Sequence, residues 1–405
     1  MTDAFPPQPA AHMSRPTMAS TPSAPETGPA ISPLRPGDDP SKIAVAGQWE
    51  LIWHKFIRNK VAVAAGCVVL LFYFIALFAE FLAPGLPSTA QPRFTYAPPQ
   101  PIAFFVTDDT GARSWLPHVK GYTMSVDPAS LRRSFVVDPD SVVPVGLFVR
   151  GASYDLWGLF PTDRHLFGPL DPTQPMNLLG TDRLGRDLLT RLIYGTRISM
   201  SIGLIGVVSS LIIGVVLGAL SGYYGGWVDL SVQRLIEVIS AMPMIPLWLG
   251  LAAAIPVTWS PLSVYFIITL IVSLLAWTSL AREVRGRFFS LRDEDFVTAA
   301  ILDGSSQRRV IFRHILPSLT SHILAVVTLA IPTMIVAETA LSFLGIGLKA
   351  PVVSWGVLLQ DAQNIRTVAT APWLLVWPAG AVVVTVLAFN FLGDGMRDAA
   401  DPYET

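Results

Sequence analysis

A short polar segment between two long apolar runs holds the residues with the clearest chemical potential: FVTAAILDGSSQRRVIFRHILPSL, at 296–319. Phe296 and Ala300 belong to a set of apolar residues that recur at helical spacing, which predicts a short helix with one apolar face. Gly304 can end that helix in a left-handed conformation. Ala299 and Ala300 have small side chains, so they predict a patch that another protein surface can approach closely.

A second short helix is predicted after Gly304, and it combines cations with apolar residues. Ser305 or Ser306 can cap it, while Ser290 and Asp293 form a predicted capping box for the first helix. Its arginines suit hydrogen bonds to acidic or carbonyl groups of a partner; they are Arg308, Arg309 and Arg313. The segment therefore predicts a helix–glycine–helix elbow that docks on another protein. The alternative is a solvated connector whose arginines only fix membrane topology.

The sequence lacks the motifs of the common catalytic and metal sites. It contains no phosphate-binding GxxxxGK(S/T) loop, no HExxH, no GxSxG and no cluster of cysteine and histidine. Cys67 is the single cysteine, so no intramolecular disulfide is available. Five of the six histidines are interpreted as structural because they are scattered singly: His54, His118, His165, His314 and His322. We predict a non-catalytic chain that binds no cofactor or metal and takes energy from another chain or from an ion gradient.

The elements that must position the elbow are membrane helices. A crossing takes roughly 20 apolar residues, and six stretches qualify: 61–82, 198–220, 229–255, 262–280, 318–341 and 373–392. Pro243 and Pro246 interrupt the third stretch, and glycines in the second favour close helix packing. These are Gly203, Gly206, Gly214 and Gly218. The predicted fold is an all-α polytopic membrane protein with six transmembrane helices.

The distribution of lysine and arginine predicts that both termini are cytoplasmic. Lys55, Arg58 and Lys60 precede the first stretch, and the loop at 281–317 carries seven arginines, so both are placed in the cytoplasm. The net charge of −1 gives no indication of a nucleic-acid partner.

Four parts follow along the chain. Residues 1–45 are predicted to be a disordered cytoplasmic tail, and 46–85 the N-terminal region with the first transmembrane helix. Residues 86–177 are a large extracytoplasmic insertion, rich in proline and aromatic residues, and 178–405 form the core with five transmembrane helices. Within the insertion, 141–149 has β-like character, although Pro144 and Gly146 weaken that pattern. The insertion is either a docking surface for another protein or a packed stabilising loop.

Two further groups of residues invite a functional interpretation. Glu338, near one end of the fifth stretch, is predicted to face a protein interior or a watery path, since ionisable groups avoid lipid. Trp277 can line the same route, and the alternative for Glu338 is an interhelical hydrogen bond to a neighbouring span. GTDRLGRD at 180–187 is interpreted as a structural turn in preference to a substrate contact.

TAAILDGSSQRRVIFRHILP, at 298–317, resembles the cytoplasmic EAA loop of permeases of ATP-binding-cassette (ABC) importers. Thr298 stands where that family often has glutamate, and the remaining spacing is kept. The resemblance implies that this loop contacts an ATPase. The residues assigned to that coupling are Phe296, Thr298, Ala299, Ala300, Asp303, Gly304, Arg308, Arg309, Arg313 and His314.

Other segments resemble the oligopeptide/dipeptide (peptide/nickel) branch of that family, in its second-subunit type. They are LGTDRLGRDLLTRLIYGTRISMSIGL at 179–204, SGYYGGWVDLSVQRLIEVISAMP at 221–243, ETALSFLGIGL at 338–348 and LGDGMRDAADP at 392–402. The long insertion is similar to that of the subgroup with the microcin C and peptide importer.

The resemblance implies the ABC importer permease fold and a multi-pass protein of the bacterial cell membrane, the inner membrane in a Gram-negative cell. The partners that it implies are a homologous permease subunit in a heterodimer, two ATP-binding subunits that hold ATP and Mg, an extracytoplasmic solute-binding protein and membrane lipid. The solute stays open among oligopeptides, dipeptides, modified peptides, nickel complexes and opines.

Two other classes of protein remain as alternatives. One is a stand-alone secondary transporter driven by ions, which favours buried ionisable residues and an inverted repeat. The other is a membrane-anchored binding or sensory protein whose function lies in the insertion. Co-purification with ATPase chains distinguishes both from a permease subunit.

Overall fold

The computed structural model of the protein describes residues 48–400, except 108–112, 127, 129–132 and 257. The predicted tail at 1–45 lies outside the described residues. Helix α1 (Gln48–Arg58) is followed by α2 (Lys60–Leu77), which Asn59 caps by accepting a hydrogen bond from the amide of Ala62 at 3.1 Å. A short helix, α3 (Ala79–Leu82), then leads out of the bundle.

The insertion contains an antiparallel four-stranded sheet. Its strands lie in chain order: β1 (Ile102–Thr107), β2 (Arg113–Val126), β3 (Arg133–Leu156) and β4 (Phe160–Pro169). β3 pairs with β2 as far as Pro144 and with β4 from Val145 onward. Proline has no N–H to donate to a ladder, so Pro144 suits the point where the strand changes partner. The β-like character predicted for 141–149 is confirmed, and the all-α description holds for the membrane bundle only.

After the sheet the described chain is helical. In order, its helices are α4 (Leu188–Tyr224), α5 (Gly226–Ala241), α6 (Met244–Ala253), α7 (Pro261–Leu291), α8 (Asp295–Leu302), α9 (Gln307–Arg309), a π-helix (Val310–Ile315), α10 (Leu316–Ser318), α11 (Thr320–Phe343), α12 (Trp355–Gln360), α13 (Ile365–Thr370) and α14 (Trp373–Ala400). Five helices of the described residues are long and apolar enough to cross a membrane, namely α2, α4, α7, α11 and α14. The predicted third stretch is instead the pair α5 and α6, bent by 85° at the interruption that Pro243 predicted.

Helices α4 and α7 run in the same direction along a seam of small residues. A Cβ added to Gly206 would lie 3.4 Å from Ser273 Oγ, and one added to Gly222 would lie 2.5 Å from Phe288 Cβ. At Gly218 an added Cβ would lie 2.6 Å from Ala281 O, so a larger residue does not fit. Because both helices end on the same side of the bundle, the chain between them must cross back. The bent pair α5–α6 therefore completes the sixth predicted crossing.

The main core joins all five spanning helices. It includes one buried apolar residue from each helix: Val69, Met200, Ile268, Ile335 and Phe389. Burying such side chains from several helices together fixes the helix positions. A separate cluster of buried residues lies at the shared end of α4 and α7, and it supports the elbow.

Candidate functional site

The predicted elbow exists and turns at Gly304. Helix α8 ends in a Schellman motif: the amide of Ser305 donates to Ala300 O and the amide of Gly304 donates to Ile301 O, both at 3.0 Å. Gly304 has φ +81°, a conformation that residues with a side chain rarely adopt. The predicted capping box is wrong, because Ser290 lies inside α7 and the N-cap of α8 is Glu294.

The second arm of the elbow is a π-helix for half of its length. Ser306 occupies the N-cap of α9 but makes no side-chain capping bond. The amide of Leu316 donates to Ile311 O, five residues back, which is the π-helical pattern. Pro317 has no N–H to form the next bond, so this pattern cannot continue past Leu316. The elbow is defined below as residues 295–318.

The inner face of the elbow packs on its own chain. Val297 and Ala300 of α8 are buried together with Val310, Ile311 and Ile315 of the second arm. The same cluster contains Ala219, Leu280, Val284 and Phe288 from α4 and α7. The placement of Ala300 therefore differs from the predicted contact patch: its side chain is buried against the bundle, and only Ala299 of the pair is exposed.

The outer face of the elbow exposes apolar and cationic side chains. Because an α-helix turns by about 100° per residue, Thr298, Ala299 and Leu302 lie opposite the buried Val297 and Ala300. Leu302 is 82% exposed. Phe296, Ile301 and Phe312 are exposed as well, and these three with Leu302 are called the elbow patch.

The predicted polar coupling residues surround the elbow patch. Asp303, Arg308, Arg309 and Arg313 are exposed and His314 is partly exposed. Within the described part of the chain, none of the three arginines forms an ion pair. Unpaired guanidinium groups beside exposed apolar side chains are the features expected of a surface that binds an acidic or carbonyl-rich partner.

A partly buried ion pair beside the elbow was missed by sequence reasoning, which used Arg285 only to assign topology. Arg285 on α7 donates from Nη2 to Asp229 Oδ2 on α5 at 2.6 Å, and Ser221 on α4 donates to Asp229 Oδ1 at 2.5 Å. The guanidinium groups of Arg285 and Arg292 also lie over the Phe289 ring, 4.7 and 4.5 Å from its centroid. These contacts hold three helix ends together where the elbow leaves the bundle.

At the opposite end of the bundle, the segment 180–187 forms a structural turn, as predicted. The carboxylate of Asp182 is fully buried and accepts hydrogen bonds from the amides of Leu184 and Arg186 at 2.8 and 3.0 Å. It also pairs with the side chains of Arg186 and Arg191, and Arg191 reaches Asp361 at 3.3 Å. Asp187 caps α4 by accepting a hydrogen bond from the amide of Thr190 at 2.7 Å. The hydrogen bonds and ion pairs of the Asp182 carboxylate therefore stabilise the turn and join it to the start of α4.

Buried histidines hydrogen-bond to the backbone. His165 Nδ1 lies 2.6 Å from Ala83 O and its Nε2 lies 3.0 Å from Ala152 O. His118 Nδ1 lies 2.8 Å from Leu116 O. These bonds fit the structural role predicted for both residues. Within the described ranges, no group of three or more histidine, cysteine, aspartate or glutamate side chains is placed to hold a metal ion.

Glu338 and Trp277 are buried in different clusters of side chains. Trp277 packs with Ile236 of α5 and Ala281 of α7. Glu338 Oε1 accepts hydrogen bonds from Ser342 and Ser354 at 2.7 and 2.8 Å. Neither side chain reaches the surface of this chain. The structure does not bring the two predicted pathway residues together.

The hydrogen bonds of Glu338 organise the connection between α11 and α12. Ser342 Oγ also accepts from the amide of Leu348 at 3.0 Å, and Ser354 Oγ accepts from the amide of Val357 at 3.2 Å. One buried carboxylate thus holds two hydroxyls that cap the backbone of 344–360. This arrangement favours a structural role for Glu338, with partners on its own helix and at the start of α12 in place of the predicted neighbouring span.

Replacing Glu338 with leucine is expected to loosen 344–360, because both serine hydroxyls lose their buried partner. An unsatisfied buried polar group costs about 1–3 kcal/mol. Hydrogen exchange at the amides of Leu348 and Val357 should therefore accelerate in Glu338→Leu and change little in Glu338→Gln, which keeps an acceptor. Glu237→Leu, at an exposed glutamate, is the matched control. Loss of uptake in Glu338→Gln with unchanged exchange would contradict a purely structural role and favour the pathway role.

Comparison with known proteins gives two sequence families that match most of the helical part. Residues 214–403 match the family described as binding-protein-dependent transport system inner membrane component. Residues 47–99 match the N-terminal transmembrane domain of oligopeptide transport permease C. The two matches bracket the sheet, and the first contains the elbow.

Curated relatives agree with these families. The oligopeptide transport system permease protein OppC of Haemophilus influenzae is 39% identical over 60% of this chain and 75% of its own length. The dipeptide transport system permease protein DppC of Alkalihalophilus pseudofirmus is 38% identical over 55% and 71%. The glutathione transport system permease protein GsiD of Pectobacterium atrosepticum is 31% identical over 89% of this chain and 92% of its own length. Because the last similarity covers so much of both chains, it includes residues of the insertion.

Proposed function

The chain belongs to the permease family of oligopeptide and dipeptide ABC importers, and we propose from this that it carries peptides across the membrane together with a homologous permease partner. It is a multi-pass membrane subunit without catalytic activity, and ATP is hydrolysed by separate subunits. We propose a peptide solute because of the substrates that the similar permeases are named for. The substrates in their names are an oligopeptide, a dipeptide and glutathione, which share the peptide bond.

The elbow is proposed to dock on one of two ATP-binding subunits, which hold ATP and Mg. Burying the apolar elbow patch against the partner is favoured by the hydrophobic effect. The arginines at 308, 309 and 313 can donate charge-assisted hydrogen bonds to the partner. Thr298, Ala299 and Leu302 are placed at the centre of this contact because they lie farthest from the buried face. Ala300 and Gly304 act indirectly, by packing and turning the elbow.

The orientation follows from the positive-inside rule. The elbow side, rich in arginine, is proposed to face the cytoplasm of a bacterial cell, and the sheet side the outside. With six crossings, both termini then lie in the cytoplasm. The face of the sheet that points away from the membrane is proposed to receive an extracytoplasmic solute-binding protein.

Reconstitution tests the proposal. The chain should co-purify with a homologous permease and with ATPase chains, and liposomes that hold the complex should take up labelled peptides only with ATP and the binding protein present. A ligand screen on that binding protein identifies the peptide class, with nickel complexes and opines as comparison ligands. Uptake driven by an ion gradient without ATPase chains would identify a secondary transporter and overturn the proposal. Exclusive uptake of a non-peptide solute would overturn the peptide assignment alone.

A further inference from the structure

The hairpin that joins β3 to β4 returns from the sheet to the end of the first membrane helix. The hairpin tip is defined as residues 155–160. Trp157 Nε1 donates a hydrogen bond to Leu77 O at 2.7 Å, and Leu77 is the last residue of α2. Since α2 is a membrane span, this bond fixes the depth of the hairpin tip at the end of that span.

A line of aromatic rings connects the hairpin tip with the exposed surface of the span. Phe74 on α2 lies 4.9 Å from Phe78, Phe78 lies 5.6 Å from Trp157, and Trp157 lies 6.5 Å from Phe160, between ring centroids. Phe74, Trp157 and Phe160 are exposed, and Leu159 beside them is 72% exposed. The apolar surface of the span therefore continues without a break onto the hairpin tip.

The backbone of the hairpin tip is held in an uncommon conformation. Trp157 has φ +56° and Gly158 has φ +70°, and the amide of Leu159 closes the turn by donating to Leu156 O at 3.1 Å. Two central residues with positive φ are typical of a type I′ turn, where asparagine–glycine is preferred and a bulky aromatic residue is disfavoured. A strained residue is retained where the position of its side chain matters. Here the turn places the Trp157 ring on the end of the span.

The end of the span is itself fixed to the bundle. Arg197 of α4 pairs with Glu80 and donates to Ala76 O at 2.7 Å. His165 Nδ1 on β4 lies 2.6 Å from Ala83 O, and the Phe148 ring lies 6.1 Å from that of Phe81. Strands β3 and β4 are thus fastened beside the end of the span, and Trp157 holds the hairpin tip at the same level.

From this placement we propose that the hairpin tip is a membrane anchor whose Trp157, Leu159 and Phe160 side chains enter the lipid interface beside α2. An 18-residue helix is about 27 Å long, close to the roughly 30 Å hydrocarbon thickness, so its last residue lies at the hydrocarbon boundary. Tryptophan suits that boundary, since its ring is apolar and its N–H finds a polar partner. The occupant is lipid, because the surface continues that of a spanning helix.

Spin labels at three single cysteines test this anchor in the full-length chain, reconstituted in liposomes of phosphatidylethanolamine and phosphatidylglycerol. Cys67, which is exposed on α2, is the natural reference within the span. In a Cys67→Ser background, Leu159→Cys reports on the hairpin tip. Ser125→Cys is the control at the opposite end of the sheet, where its exposed side chain bonds to Ser134.

The anchor predicts that the label at 159 is reached by oxygen several-fold more readily than by a water-soluble nickel complex, as at Cys67, and that the control at 125 shows the reverse. Preferential access of the nickel complex at 159 would show that the hairpin tip lies in water. An immobilised label that neither reagent reaches would show that another protein chain covers it. Either of these two results overturns the proposal. The accessibility of the spin labels is measured without transport, so its outcome does not depend on the peptide assignment.

Discussion

Replacing Leu302 with aspartate is expected to separate the chain from its ATPase partner and to abolish ATP-driven uptake, while the chain still folds and inserts. Leu302 is the most exposed residue of the elbow patch and lies opposite the buried face of α8. A carboxylate there removes the apolar centre of the proposed contact. It also places a desolvated charge in that contact.

The expected loss is at least about 2 kcal/mol of docking free energy, typical of a residue at the centre of an interface. This corresponds to about a thirtyfold higher dissociation constant, measured by titrating the purified ATPase onto reconstituted permease. Ile365→Asp is the matched control, because Ile365 is 85% exposed on α13 at the sheet side of the bundle. Equal ATPase affinity in both variants would show that the elbow patch is not the docking surface.

Ala300 offers a second comparison on the same helix. Its side chain is buried against the bundle, so Ala300→Trp is expected to disturb packing of the elbow and thereby to reduce both docking and stability. Leu302→Asp is expected to reduce docking alone. The thermal unfolding midpoints of the two variants distinguish a contact residue from a packing residue.

Removing the charge of Asp182 is expected to produce the largest loss of stability among single substitutions outside the apolar core. In Asp182→Asn, Arg191 stays in place with 2% of its side chain exposed, loses the fully buried Asp182 carboxylate and keeps only Asp361, 3.3 Å away. Leaving one partner of a buried ion pair uncompensated costs about 3–5 kcal/mol, and the remaining contact of Arg191 with Asp361 offsets part of that cost. The unfolding transition, followed by tryptophan fluorescence in detergent, should therefore move to a clearly lower temperature.

The control is the same substitution in an exposed pair. Asp163 lies 3.9 Å from Arg150, both side chains are exposed, and pairs of this kind contribute about 0–1 kcal/mol. Asp163→Asn should leave the transition nearly unchanged. Adding Arg191→Met to Asp182→Asn should recover part of the loss, because no buried charge then lacks a partner. Without any recovery, the hydrogen bonds of Asp182 to backbone amides would be the main source of its contribution.

Local signals made much of the fold predictable. Hydropathy indicated the five unbroken spans, and prolines marked the bend between α5 and α6. The turn at Gly304 was predictable because a helix followed by glycine is a local pattern. The glycines of α4 were predicted to allow close approach of a neighbouring helix, and they contact α7 and α11.

Contacts between distant residues explain what could not be predicted. Whether Ala300 faces inward depends on α7 and the second arm packing against it, which no local pattern reveals. Arg191 and Asp361 are 170 residues apart in sequence, so no local pattern pointed from one to the other. The 24-residue β3 was predicted only in part, because Pro144 and Gly146 interrupt its alternating pattern. The strand accommodates both residues because it changes its pairing partner between Pro144 and Val145.

The seam between α4 and α7 limits how the importer can move. Glycine positions along α4 leave no gap in which α7 could slide or rotate independently, since at Gly218 and Gly222 the facing atoms already lie where a methyl group would be. The 37-residue α4 is about 55 Å long, so it extends beyond both faces of the hydrocarbon layer. The two helices are therefore expected to move as one rigid unit, with the elbow at one end and the Asp182 turn at the other. We therefore expect a push on the elbow to tilt the pair as a whole.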